Sequence, residues 1–172
     1  MKKKEVRKTL AKAARSIRNK DVTILLVEEI SELIEVLDGC NGSPKDIKHL
    51  CEEICDVQIM MALLISFHKI PRNKIDKYKK SHKNAFKEYA KAHDAKFNVK
   101  SAISELSILS RNVCKAARKR KRTSEIIESV ASVELTLEYL EKIGLYRQKD
   151  VDSFYMKKAH RMKTRLAHHR IF

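Results

Sequence analysis

EEICDVQIMMALL, residues 52–64, decides how this chain folds. Wound at about 3.6 residues per turn, Leu50, Val57, Met60, Leu63, Leu64 and Phe67 fall on one broad apolar stripe. A run of this kind, with no Gly or Pro and no strict alternation, predicts a helix buried on most of its circumference. Glu53 and Asp56 break the pattern, because they lie inside the stripe rather than opposite it. A bare carboxylate there is costly, so it must be protonated, paired or bound to a metal. The same spacing occurs upstream in EEISEL, residues 28–33, where Glu29 and Glu32 stand three apart. Glu29 is flanked by Leu25 and Val36, whereas Glu28 and Glu35 fall on the far side and read as solvated charge. Two acid pairs on consecutive helices make a cage for a hard, oxygen-loving cation. That combination points to a metal-dependent enzyme acting on phosphates.

The rest of the chain suits an all-α protein. It has 172 residues, 43% apolar and 35% charged, enough to build a core, with only 3 Gly and 2 Pro to interrupt helices. The breaks predict helices over 3–18, 21–38, 45–68, 72–91, 98–119, 123–143 and 147–168. GCNGSP at 39–44 is a loop by composition, and Ile70-Pro71 ends the third helix. Thr123-Ser124 before Glu125 reads as an N-cap and Gly144 as a helix stop. The start, MKKKEVRKTL, has no apolar stretch behind it, and the uncharged run 57–68 is too short to span a bilayer. The expectation is a cytoplasmic protein with no membrane partner. Four cysteines without a disulfide spacing suit a reducing cytosol. Cys51 and Cys55, one turn apart near His49, offer either a zinc pair or, as is commoner, two small core residues.

The net charge of +16 is uneven: residues 1–20 carry +8, 21–92 carry −1 and 93–172 carry +9. The acids therefore sit in a near-neutral segment between two basic ones, a field that attracts nucleotides or nucleic acid. KAARKRKR, residues 115–122 from Lys115 to Arg122, is the densest basic cluster and, with the N-terminal helix, the expected contact for nucleic acid.

Three helices recur. ISEL at 30–33 returns at 103–106, EEICDVQIMMALL aligns with ESVASVELTLEYL at 128–140, and KKSHKN at 79–84 aligns with KKAHRM at 157–162. The chain thus reads as a helical bundle of two repeated three-helix units, residues 1–92 and 93–172. In the second, Ala102 stands opposite Glu29, Ser129 opposite Glu53 and Ser132 opposite Asp56, leaving Glu105 opposite Glu32. The apolar pattern survives without the three acids, so the fold does not require them. Ligand binding is the better reason for their presence in the first unit.

The acids Glu29, Glu32, Glu53 and Asp56, as ExxE then ExxD on successive helices, followed by KxxxN at Lys80 and Asn84, resemble the MazG-like all-α nucleotide pyrophosphohydrolases. The likeness covers about residues 20–90, and 98–168 only as a degenerate copy. It implies Mg²⁺, with Mn²⁺ as a substitute, held by the four acids, which serve as both ligands and catalytic groups. It further implies hydrolysis of nucleoside triphosphates to monophosphate and pyrophosphate, with Lys80, Asn84 and Lys87 binding substrate. His82 is a candidate phosphate contact, and Phe67, Tyr78 and Phe86 are candidates for the base. Leu25 stands where many members carry a lysine. Members commonly dimerise, so the second unit would act as an internal partner, in a monomer that is a pseudo-dimer or in a homodimer. The alternative is a basic helical protein that inherited the fold and binds nucleic acid or an acidic protein.

Overall fold

The computed structural model describes Thr9, residues 18–119 and residues 123–167. The helix expected over 3–18 lies outside the described residues apart from Thr9 and Arg18, as does the 120–122 part of the basic cluster. Six helices account for the rest: α1 (Asn19–Gly39), α2 (Pro44–Phe67), α3 (Arg72–Lys91), α4 (Ala95–Ala117), α5 (Thr123–Lys142) and α6 (Gln148–Ala167). No strand occurs among the described residues. None of these helices is long and apolar enough to cross a membrane.

Local chemistry sets the helix ends. Ser43 caps α2 by accepting from the Asp46 N–H at 3.2 Å, and Pro44 occupies the first turn, where its missing N–H costs nothing. At the other end the Lys69 N–H bonds Ser66 O and the Ile70 N–H bonds Ile65 O. Lys69 sits at φ 51° in this turn, and Ile70 folds back as a buried side chain. The end of α5 repeats this closure, with Gly144 at φ 82° bonding Glu141 O and Leu145 bonding Leu140 O. Asp94 starts α4 three residues earlier than the sequence suggests, because its carboxylate accepts from the Phe97 N–H at 2.7 Å. Asn98 then ties the corner, donating to the carbonyls of Ala90, His93 and Asp94. The capping position before Thr123 falls outside the described residues, and Thr123 itself is already helical.

The four-residue link between α1 and α2 forces them into a hairpin, and both packing and core follow from it. α1 lies along α2 and α4, and α4 along α5. The third helix of each half then crosses over: α3 packs on α5, and α6 packs on α2. This leaves α2 covered on both sides, which is why it buries Leu50, Ile54, Val57, Leu63 and Leu64 around most of its girth. One buried cluster runs from Val22 in α1 to Ala159 in α6. Each large side chain within it contributes roughly 2 kcal/mol, a reserve large enough to carry a few misplaced acids.

Candidate metal centre

Glu29 comes from the inner flank of α1, beside buried Leu26, Ile30 and Leu33, and Glu53 and Asp56 come from α2. Where the hairpin closes, carboxylate oxygens of Glu29, Glu53 and Asp56 all lie within 4.8 Å of one another. Among the described residues this is the group able to hold a metal ion. Glu53 is only 8% exposed. Its Oε1 lies 3.2 Å from His49 Nε2, while Oε2 is buried with no hydrogen-bond partner.

Glu32 does not join the three. A step of three residues turns it about 60° further from the core than Glu29, and it is exposed. It lines an open cleft of about 450 Å³ together with Glu35, Val36, Asp46, His49 and Glu53. The four-acid cage is therefore a three-acid centre with a fourth carboxylate on the cleft beside it. Glu32 still acts through space, for its charge raises the pKa of both Glu29 and Glu53.

Electrostatics make the centre unfavourable as it stands. Burial first, then the charges of Asp56, Glu32 and Glu53, push the Glu29 carboxyl up to about 7 against a slight pull from Lys158. Burial, Asp56 and Glu32 likewise raise Glu53, with His49 and Lys158 opposing. An all-oxygen donor set with an orphaned buried carboxylate oxygen fits a hard divalent cation such as Mg²⁺ or Mn²⁺. It does not fit a thiolate-seeking metal. Cys51 and Cys55 are buried in the core, and burial pushes the Cys55 thiol up to about 12, so the zinc reading of this pair gives way to plain packing.

The cation brought to the acids is one the sequence did not single out. Lys158 of α6 is ion-paired with Asp56 and lies 3.4 Å from Glu52 Oε1. Burial opposes its charge, yet the Asp56 hydrogen bond and the charges of Asp56 and Glu52 hold its pKa above the usual lysine value. The signal was present in the alignment of KKSHKN with KKAHRM, which sets Lys158 opposite Lys80. Lys80, Asn84 and Lys87 do not meet the acids. α3 turns Ile75, Lys79 and Ala90 toward the bundle, which leaves those three exposed on its opposite side, without a hydrogen bond or ion pair among the described residues. Lys79 bonds Glu134 and Glu138 on α5, and Arg72 makes a two-pronged pair with Glu134 at 2.6 Å, which fixes that orientation. His82 stacks on Tyr78 at 3.9 Å and shares its Nδ1 with Tyr78 O.

Three of the four residues set opposite the acids in the second half are uncharged, and the fourth, Glu105, is a half-buried carboxyl whose pKa burial raises. Ser129 accepts from Asn112 Nδ2 at 2.6 Å and donates to Glu125 O at 2.7 Å, while Ala102 and Ser132 are buried. Of the basic cluster, Lys115 closes α4 half-buried, and Arg118 and Lys119 are exposed. No family model, no curated protein and no solved structure matches this chain.

Proposed function

We propose that the chain hydrolyses nucleoside triphosphates to the monophosphate and pyrophosphate, with Glu29, Glu53 and Asp56 holding Mg²⁺ or Mn²⁺. The observation that carries this reading is the convergence of three carboxylates on a half-buried spot where Glu53 Oε2 has no partner. Asp56 has Lys158 as a partner and Glu53 Oε1 has His49, but Glu29 has no hydrogen bond or ion pair among the described residues and Glu53 Oε2 has none, while burial and like charges raise the pKa of both. A bound cation would offset that cost. The adjoining cleft supports the choice of cation chemistry: its lining includes Glu32, Glu35, Asp46 and Glu53 and no Lys or Arg, so a triphosphate could enter only alongside metal charge.

The roles of the residues follow from where they sit. When bound, the cation would neutralise charge on the phosphate oxygens. Glu29, Glu53 and Asp56 would hold it, and of the three Glu53 also lines the cleft in which the phosphates would lie. Glu32, outside the three-acid group yet facing the same cleft, takes a proton from the attacking water at its carboxylate. The water oxygen bonds to the α-phosphorus as the bond to the bridging oxygen breaks, and pyrophosphate leaves with that electron pair. Lys158, rather than Lys80, Asn84 and Lys87, is the cation this reading assigns to the centre.

The chain also reads as two repeats, α1–α3 and α4–α6, the second without the metal ligands. Reciprocal packing of α3 on α5 and α6 on α2 supports it, because exchange of equivalent elements is what a two-fold pair of identical units produces. So do the matching closures at Lys69 and Gly144. The test of function is a panel of ribo- and deoxynucleoside triphosphates with Mg²⁺ or Mn²⁺, scored for pyrophosphate against orthophosphate. Pyrophosphate release that needs the metal is expected. Release of orthophosphate alone, or no release from any nucleotide, would overturn the reading.

A further inference from the structure

Lys158 stands 102 residues from Asp56 in the chain and reaches it only because α6 lies on α2. Its side chain and that of Asp56 are each 19% exposed, so the pair is shielded without being sealed. Glu52, one turn before Asp56 and 40% exposed, is the second acid within reach of the ammonium. Glu52 is not one of the three converging acids. Glu29 has no hydrogen bond or ion pair among the described residues, and Glu53 Oε2 has none either, so this lysine is the main positive charge serving the centre from outside its own two helices.

A divalent cation and an ammonium compete for the same Asp56 carboxylate, since two positive charges sharing it repel. The lysine need not leave the site to yield. Glu52 and Asp56 are neighbours at i,i+4 on one face of α2, so a change of side-chain rotamer carries Nζ from one to the other. We propose that Lys158 is a built-in counter-ion that a divalent cation must displace from Asp56, and that Glu52 receives the displaced ammonium. The second half of the chain thereby sets the cation affinity of a centre built in the first. The inference rests on the reading of Glu29, Glu53 and Asp56 as cation ligands.

Calorimetric titration of Mg²⁺ and Mn²⁺ into the full chain, paired with thermal melts, tests both the inference and that reading. Lys158→Met should bind the cation about tenfold more tightly, the order expected when a partly solvated ion pair no longer has to be broken. Its cation-free melting temperature should fall and its rise on adding Mg²⁺ should exceed that of the wild type. Lys158→Arg, which keeps the charge, should bind no more tightly than the wild type, and Lys158→Gln, which removes the charge but keeps a polar side chain, should reproduce the gain and carries the test if the Met variant folds poorly. Lys157→Met removes the same charge one residue away, where the ammonium lies over the Phe154 ring, and should leave affinity within about twofold. Glu52→Gln should weaken binding several-fold in the wild type but much less in the Lys158→Met background, because the two act as a pair. Unchanged or weaker binding by Lys158→Met, or an equal gain from Lys157→Met, would overturn the counter-ion role while leaving the ligands in place. No cation heat and no melting shift in any of these proteins would overturn both.

Discussion

Glu53, 8% exposed with one orphaned oxygen, and Asp56, paired with Lys158, are neighbours on α2 that should respond differently to replacement. Glu53→Gln should abolish hydrolysis and metal binding while leaving the cation-free melting temperature unchanged or higher, since it removes a like charge from a low-dielectric spot. A melt and a nucleotide assay on the same preparation check it. Asp56→Ala should also abolish activity but cost about 1 kcal/mol of stability, because it leaves the half-buried Lys158 ammonium with only the more exposed Glu52. Glu29 adds a pH signature. Its folded pKa of about 7 lies above the ordinary glutamate value of 4.5, so the native state holds this proton more tightly than the unfolded chain. The resulting stability is fully present below about 4.5 and is lost as pH rises to about 7. Urea midpoints measured across that window should fall for the wild type, and fall less for Glu29→Gln. Glu29 and Glu53 were legible in the sequence because each interrupts an apolar stripe within its own helix. Glu32 was not, because its spacing matches that of its partner and only the angle of α1 against α2 sets the two apart.

Helix ends are decided over a handful of residues, which is why the two closures at Lys69 and Gly144 make clean tests. Gly144 holds φ 82° in open space, so Gly144→Ala meets no neighbour and should cost about 1 kcal/mol through the backbone alone. Lys69 holds φ 51° with a side chain attached, and Lys69→Gly should gain roughly 0.5 kcal/mol by relieving that conformation. Denaturant midpoints with unchanged slopes would verify both. The Gly-rich loop before Pro44 and the Ile70-Pro71 break were readable for the same reason, since turn chemistry is local. The start of α4 falls three residues before the expected 98 because Asp94 caps it, and the corner is then tied by Asn98, whose bonds to Ala90 and His93 depend on where α3 ends.

At the scale of the molecule, the halves are joined by charge as well as by core. Arg72 and Lys79 of α3 converge on Glu134 of α5, whose side chain is 17% exposed, so Glu134→Gln should loosen that crossing by about 1–2 kcal/mol, read as a lower melting temperature. The +16 charge should also give weak, non-specific binding to nucleic acid. That binding should fade steeply near physiological salt as the entropy gained by releasing counterions shrinks, whereas pyrophosphate release should persist there. Tight binding at such salt, with no hydrolysis of any nucleotide, would favour the nucleic-acid reading. What the sequence determined by itself is the helical class, the loops between helices and the presence of acids where an apolar surface was due. Each of these is a matter of periodicity or turn chemistry within a few residues, and the physics is local. Only the tertiary structure decided which acids converge, that α3 and α6 cross to the opposite half, and that Lys158 rather than Lys80 serves the centre. Those outcomes depend on how buried helix faces register against one another, and a charge can be matched to its partner only after that packing is set.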